Sequence, residues 1–346
     1  MKNYLSNRIL GRRIIKTALA VFFTSVICEW LEWPPVFAVI TAIVSIEPTV
    51  GESIRKGIVR FPASAIGSFY AVLFIYFFEN SPITYTLAAF FTIITCYKLG
   101  LHAGLLVATL TSVAMVEVIH ANLFISFVIR LGTTTVGLLV STIVNMFILP
   151  PNYTKRISMD LHQLLKGTGE TLELIVDPLM KNDRNQQKKE RILSRFDQMK
   201  RSLDKTEKLL HYQADEAKYH RLKESTKKLF DQEQKNLTKI RLIHYHIGNL
   251  INTPIQSICW SEKECQDIFH LVHSLADYMR HPDHYKASIY RKQVKLLMDQ
   301  FWASKKPTND MNTNLFTPEI IVLYELLSIF NLTEDILKIE NKVRAT

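Results

Sequence analysis

Six apolar segments fill the first half of the chain, and they constrain its fold more than any other feature. They cover residues 14–31, 34–46, 61–78, 83–97, 101–116 and 123–149. A helix needs about 20 apolar residues to cross a bilayer, so the second and fifth segments are short and must be tilted, broken or shielded by protein. The pattern predicts an all-α fold with six transmembrane helices and the lipid bilayer as a partner.

Charge separates this half from the rest of the chain. Residues 1–151 carry 10 Lys and Arg and 6 Asp and Glu, whereas residues 152–346 carry 32 and 26. The sequence therefore predicts two domains, a transmembrane domain at 1–151 and a cytoplasmic helical domain at 152–346. Nothing beyond the positive charge favours nucleic-acid binding, so no nucleic-acid partner is expected.

The distribution of basic residues in the loops predicts the orientation. Eleven Lys and Arg residues lie before segment 1 or in its first turn, between segments 2 and 3, between segments 4 and 5, and just after segment 6, where Lys155 and Arg156 are counted. The alternate loops, 29–35, 79–82 and 117–122, contain none. Because cytoplasmic loops carry an excess of Lys and Arg, both termini of this multi-pass protein are expected on the cytoplasmic side of the plasma membrane.

Segments 1–3 resemble segments 4–6 weakly when the two are aligned without gaps at an offset of 70 residues. The matched pairs are Ala38 with Ala108, Thr41 with Thr111, Glu47 with Glu117, Arg60 with Arg130, and Gly67 with Gly137. Three spans per unit would place the copies in opposite orientations, as in the 3+3 inverted repeats of secondary transporters. Short segments at matching positions of two halves indicate a transport site near the middle of the membrane.

The charged members of this repeat have functional and structural interpretations. Positive-inside topology alone would explain Arg60 at the end of segment 3. Arg130 lies about 10 Å inside segment 6, where it would either extend outward to the headgroups or face an anion. Glu47 and Glu117 are solvated caps, salt-bridge partners of the arginine in the same half, or ligands. These four residues are the candidate anion pathway.

Five small or rigid residues are candidates for helix packing or hinges. Gly67 and Gly137 have small neighbours, which predicts faces that allow close helix packing. Pro34 and Pro35 forbid a continuous helix between segments 1 and 2, and Pro48 belongs to the turn after segment 2.

The sequence gives no indication of catalysis or of a bound metal. The four cysteines, Cys28, Cys96, Cys259 and Cys265, include no CxxC pair, so neither a disulfide framework nor a zinc site is expected. The paired histidines at 244 and 246, 270 and 273, and 281 and 284 lack the carboxylate or cysteine spacing of a metal site. Since nucleotide-binding loops and nucleophile motifs are also missing, we expect no enzyme, no cofactor and no ATP-driven pump.

The stretch 41–67, which reads TAIVSIEPTVGESIRKGIVRFPASAIG, resembles the junction after the second span in the aromatic acid exporter, or fusaric acid resistance-like, superfamily. That junction has a turn of Pro and small residues, a basic amphipathic stretch, and then Arg and Gly entering the third span. The family usually has Gly-Thr after the Arg. Phe61-Pro62-Ala63 replaces it in the first copy, and Gly132-Thr133 keeps it in the second. Six spans followed by one helical domain are similar to the short Gram-positive branch.

Helical periodicity and helix breakers predict an antiparallel helical bundle in the second half. A helix at 157–177 is expected to end at Pro178, and the stretch 186–247 forms one long helix or two joined near 214–218. Ser261 and Glu264 predict a capping box, and Thr317-Pro318 predicts the start of the last helix.

The resemblance implies the export of small organic anions, including aromatic ones. We therefore predict a secondary exporter or channel for such anions, acting as a homo-oligomer. The competing interpretation is a membrane-anchored helical scaffold or sensory module that transports nothing. Paired intramembrane arginines are needed by an exporter and not by a scaffold.

Overall fold

The structure, a computed structural model, describes residues 2–118, 122–181, 186–220, 223–253, 260–304 and 317–344. Within these ranges the regular elements are twelve α-helices and two short 3-10 helices, and there is no strand. The predicted all-α class is confirmed at this level. Cys259 lies outside the described residues.

The chain forms two compact units. The first comprises Met1–Asn152 together with Tyr212–Arg221, and the second comprises Tyr153–His211 and Leu222–Thr346. A short segment from the middle of the sequence therefore belongs to the unit built by the apolar half.

The first unit contains one helix at each of the six apolar segments. These are α1 (Lys2–Trp30), α2 (Val36–Ser45), α3 (Val50–Phe78), α4 (Pro82–Lys98), α5 (Leu105–Val118, preceded by a 3-10 turn at His102–Gly104) and α6 (Leu123–Phe147). Helix α3 packs against α4, α5 and α6, while α2 packs against α1 and α6.

Helix α3 begins earlier than the apolar segment at 61–78. The Thr49 side chain accepts a hydrogen bond from the Glu52 amide and caps the helix, so the basic stretch before Arg60 is helical rather than a loop. Pro62 lies inside this helix.

Two helices of the first unit, α3 and α6, are long and apolar enough to cross a membrane by length and composition. The apolar helices Val36–Ser45 and His102–Glu117 are shorter than a span. The count of six spans and the orientation of the termini therefore stay predictions.

The first unit buries many hydroxyl side chains and exposes large apolar ones. Its buried side chains include the hydroxyl residues Thr41, Ser64, Ser68, Thr111, Thr134 and Ser141. Its surface carries large apolar side chains, such as Phe124 at 74% and Phe147 at 71% exposure. Extensive exposed apolar surface marks contact with a membrane or a partner, and small residues at helix contacts are typical of membrane bundles.

Within the described residues, the second unit contains six α-helices. These are α7 (Thr154–Lys181), α8 (Gln186–Glu216, whose last turns belong to the first unit), α9 (Glu224–Asn252), α10 (Glu262–Arg280), α11 (Ala287–Ser304) and α12 (Pro318–Arg344). Helix α7 packs on α9 and α10, and α12 packs on α9 and α11. Their apolar faces form a core that includes Leu172, Ile243, Val272 and Phe330.

The predicted boundaries of this unit hold at most positions and are wrong at one. The stretch 186–247 forms two helices, and the capping box of Ser261 and Glu264 is confirmed, with reciprocal side-chain-to-amide bonds. Helix α12 begins at Pro318 as predicted. Pro178, however, lies inside α7. It lies three residues before the end of that helix, so the distortion that it causes is confined to the last turn.

Candidate functional site

Arg130 is the centre of the candidate site. It lies on α6 with 3% of its surface exposed. One guanidinium nitrogen, Nη1, donates to the Thr133 hydroxyl at 3.3 Å, and Nη2 donates to the Thr111 hydroxyl of α5. The Phe37 ring of α2 lies under the guanidinium, with its centroid 4.3 Å from Cζ. Residues from three helices therefore hold this cation.

A cavity of about 120 Å³ adjoins the guanidinium. It is lined by Arg130 with Pro34, Phe37, Met115, Ser126, Ile129 and Thr133. The walls are mostly apolar, and the arginine is the one charged group among the lining residues that the structure describes. An arginine beside an aromatic ring in a small cavity is suited to a flat carboxylate, because a guanidinium binds that group through two parallel hydrogen bonds.

The charge of Arg130 is not neutralised within the described residues. No carboxylate there lies within ion-pair distance of its guanidinium, and Nε has no hydrogen-bond partner. A buried cation without a counter-charge costs several kcal/mol, and the cation–π contact with Phe37 offsets about 2 kcal/mol of this. An anion in the cavity would supply both the missing charge and the missing acceptor.

Arg60, the matching residue of the first copy, has a different environment. Its Nη2 donates to Glu47 Oε1 at 2.7 Å, and its Nε donates to the Ala103 carbonyl at 3.3 Å. Glu47 also accepts a hydrogen bond from Lys56 at 2.8 Å. The side chains of Arg60 and Glu47 are only 7% and 10% exposed. This arrangement matches the structural alternative, a salt bridge within one half.

The second copy does not repeat that salt bridge. Glu117 is exposed and accepts a hydrogen bond from the Tyr85 hydroxyl of α4. The Glu–Arg pattern therefore gives an ion pair in one half and separates the two charges in the other. As a result, Arg130 is the arginine that is available to a ligand.

Contacts between the two halves are reciprocal at positions 70 residues apart. A Cβ on Gly67 would overlap the Ala108 carbonyl oxygen, and a Cβ on Gly137 would overlap the Ala38 carbonyl oxygen. The hydroxyls of Ser64 and Thr134 lie 3.1 Å apart. Glycine thus permits the close approach of α3 to α5 and of α6 to α2.

The three candidate prolines lie at helix starts of the first unit. Pro34 lines the cavity beside Arg130. Pro35 immediately precedes α2, whose first residue is Val36. Pro48 precedes the cap residue of α3. All three are at the ends of the short second helix.

A polar cluster joins the start of α3 to the end of α6, a region we call the α3–α6 end. The Asn145 amide donates to the carbonyls of Glu47 and Thr49 and to the Ser53 hydroxyl, at 2.9–3.1 Å. Lys16 of α1 donates to Asn145 Oδ1 at 2.7 Å. One buried asparagine therefore connects three helices and the turn before α3.

The segment Tyr212–His220 covers the α3–α6 end. Thr49 Oγ1 donates to Asp215 at 2.8 Å, and the Val50 amide donates to Glu216 at 3.1 Å. His220 lies 2.8 Å from Glu216 Oε1 through Nδ1 and 2.9 Å from the Met146 carbonyl through Nε2. Since both partners are acceptors, both bonds form together only when both ring nitrogens carry protons.

Sequence reasoning missed several of these residues. Phe37 looked like any apolar residue of a short segment, and nothing in the sequence places the polar stretch 212–220 against the first half. Asn145 and Lys16 did carry a signal, since polar residues inside apolar segments are rare. Around the histidines, no group of three or more potential metal ligands occurs in the described parts of the chain.

Comparisons with known proteins agree with the resemblance. The model of aromatic acid exporter family member 1 matches residues 8–148. UPF0421 proteins cover nearly all of the chain. One from Oceanobacillus iheyensis is 44% identical over 94% of this chain and 94% of its own length. One from Bacillus thuringiensis is 42% identical over 96% and 94%, and one from Staphylococcus haemolyticus is 35% identical over 92% and 96%.

The matched family is one of membrane exporters rather than of enzymes. The chain therefore belongs to the UPF0421 family, and its residues 8–148 match the model of the aromatic acid exporter family that the junction at 41–67 predicted.

Proposed function

We propose that this protein exports small aromatic carboxylates across the plasma membrane as a secondary transporter or channel, and that Arg130 binds the carboxylate. The observation that carries the proposal is a buried arginine without a counter-charge beside an apolar cavity. An ion pair with a substrate would replace the partner that the described residues do not provide.

The aromatic part of the substrate is suggested by the wall of the cavity. Phe37 presents its ring to the guanidinium at 4.3 Å, and Met115 lines the same space. Aromatic rings favour offset or edge-on contact with other rings, and methionine adapts to flat apolar ligands. A volume near 120 Å³ suits one ring and its carboxylate better than a larger conjugate.

The path across the membrane would follow an inverted 3+3 repeat with both termini cytoplasmic. Support comes from the reciprocal glycine contacts of Gly67 and Gly137 and from the Ser64–Thr134 pair, all at the offset of 70. Alternating access would then exchange the conformations of the two halves. Six spans and homo-oligomer formation belong to the same proposal.

The α3–α6 end is the cytoplasmic end in this topology, and the segment Tyr212–His220 would close it. Asp215 and Glu216 hold the start of α3, while His220 holds the end of α6. Entry of substrate from the cytoplasm requires these contacts to break. The Arg60–Glu47 salt bridge lies near the same turn and would stabilise the fold of the first half in both the open and the closed forms.

The direct test is the flux of benzoate from proteoliposomes that contain the full-length protein. Arg130→Gln should lower the flux at least 10-fold, since an ionic hydrogen bond contributes about 1.5–3 kcal/mol. Arg130→Lys should retain part of the flux, because lysine keeps the positive charge but lacks the planar guanidinium that binds a carboxylate through two hydrogen bonds. Arg60→Gln is the matched control: it should reduce stability but leave the substrate concentration at half-maximal flux unchanged.

Wild-type flux that neither arginine substitution changes would remove both residues from the mechanism. An absence of flux for benzoate, together with a stable complex between the full-length protein and a soluble protein, would favour the scaffold interpretation instead.

A further inference from the structure

The second unit contains a cleft that the proposed transport path does not use. It lies between α7, α8 and α10 and has a volume of about 620 Å³. This is within the usual range for a small-molecule site. The lining includes charged residues of both signs, together with Leu174 and Phe269.

The carboxylates of the cleft are all paired. Glu170 forms an ion pair with Arg195. Glu173 accepts from Arg280 Nη1 at 2.9 Å and lies 2.8 Å from His273 Nδ1. The third carboxylate, Asp177, lies 3.6 Å from the Lys188 ammonium.

One cation of the cleft is left without a counter-charge. Arg191 lines it and is exposed, and it forms no ion pair with the residues that the structure describes. The neighbouring Ser194 and Gln198 add neutral hydrogen-bonding groups. Among the charged residues that line the cleft, Arg191 is therefore the one with which an anion could pair.

The apolar wall limits which anion would fit. Phe269 lies against His273, with ring centroids 4.3 Å apart and planes tilted by 58°. Both rings line the cleft together with Leu174. A ligand with a ring and a carboxylate would place the ring on this wall and the charge on Arg191, whereas a bare inorganic anion would leave the wall exposed to water.

We propose that this cleft is a second binding site for small aromatic carboxylates, separate from the Arg130 cavity, through which the helical unit senses the exported substrate. The ligand class rests on the function proposed above, whereas the cleft and its unpaired arginine do not. Sensing at such a site would let the intracellular substrate concentration control the transporter.

The test is isothermal titration calorimetry of the full-length protein in detergent with benzoate. Wild type should bind two molecules per chain. Arg191→Gln should weaken benzoate binding in the cleft at least 10-fold, as expected for a lost ionic hydrogen bond. Arg130→Gln should weaken binding in the Arg130 cavity by the same factor and leave the cleft unchanged. Arg201→Gln is the matched control, because Arg201 is an exposed arginine of the same helix that does not line the cleft. Acetate lacks the ring and benzyl alcohol lacks the charge, so both should bind the cleft at least 10-fold more weakly.

Unchanged binding in Arg191→Gln would overturn the cleft site, as would an equal loss in Arg201→Gln or equally tight binding of benzyl alcohol. If Arg191→Gln abolished all benzoate binding and Arg130→Gln abolished none, the cleft would be supported as a binding site and the Arg130 cavity would be ruled out. The two proposals can therefore fail independently of each other.

Discussion

Arg60 and Arg130, which lie 70 residues apart, have different surroundings, and this difference supports different roles for them. Arg60 shares the Glu47 carboxylate with Lys56. Arg130 has two hydroxyls and a ring, and the Thr133 hydroxyl also donates to the Arg130 carbonyl at 2.9 Å. Removing the Arg130 charge therefore leaves Thr133 with a partner, whereas removing Arg60 leaves a half-paired carboxylate. Loss of function without loss of folding is expected at Arg130 alone.

The sequence could predict which residues are charged in the membrane half but not how they pair. A spacing of 13 residues allows an ion pair in both copies, and only the first forms it. The ion pair is missing from the second copy because Glu117 accepts a hydrogen bond from the Tyr85 hydroxyl, which joins α4 to α5. Phe37 was missed for the same reason, because apolar residues on the inner and outer faces of a membrane helix look alike in sequence.

Glu233 of α9 gives a prediction at the scale of one residue. It is 4% exposed, and neither of its carboxylate oxygens has a hydrogen-bond partner. Burial raises the pKa of Glu233 to about 7. The folded state therefore retains a proton that the unfolded chain releases, so stability present below about pH 4.5 is lost as the pH rises toward 7.

Glu233→Gln should consequently stabilise the protein at pH 8 by about 2 kcal/mol and change it little at pH 5. Thermal unfolding followed by circular dichroism at both pH values measures this. Asp231→Asn, an exposed carboxylate of the same helix, is the control and should leave the pH dependence unchanged. Equal stabilisation at the two pH values would show that Glu233 is not held protonated.

At the scale of elements, hydropathy and helix breakers predict most of the helices and few of their contacts. Each apolar segment contains a helix, and the capping box and Pro318 begin helices as expected. Helix α3 extends beyond its apolar segment because Thr49 caps it and amphipathic turns follow. The attachment of Tyr212–His220 to the first unit has no local signal, because it depends on backbone groups at distant helix ends.

This segment gives a prediction about gating. In a variant without native cysteines, Thr49→Cys and Asp215→Cys replace side chains whose oxygens lie 2.8 Å apart. Oxidation should form a disulfide between them, as measured by protection from a maleimide reagent, and should reduce benzoate flux to background. Dithiothreitol should restore the flux, because reduction releases the segment.

The two single-cysteine variants under the same oxidation are the controls and should transport normally. Full flux in the protected, cross-linked protein would show that the segment does not need to leave the α3–α6 end during transport.

For the whole molecule, the composition of the surface matters more than the length of any helix. By length and composition, only α3 and α6 of the described helices qualify as spans. Yet the first unit buries threonines and serines while exposing Phe22, Phe69, Phe90, Phe124 and Phe147. A water-soluble unit of this kind would expose a continuous apolar surface, which soluble monomers avoid. This surface pattern supports the proposal that α1, α2, α4 and α5 are membrane helices as well.

Six spans with cytoplasmic termini make a definite prediction about accessibility. In a cysteine-free background, Asn80→Cys lies after α3 and Arg55→Cys lies in its first turns, and both positions are exposed. A membrane-impermeant maleimide should label Asn80→Cys in intact cells and Arg55→Cys only after permeabilisation. Labelling of both from outside would mean that α3 does not cross the membrane. The reverse pattern would invert the topology, and the segment Tyr212–His220 would then close the outer end of the path and could not control entry from the cytoplasm.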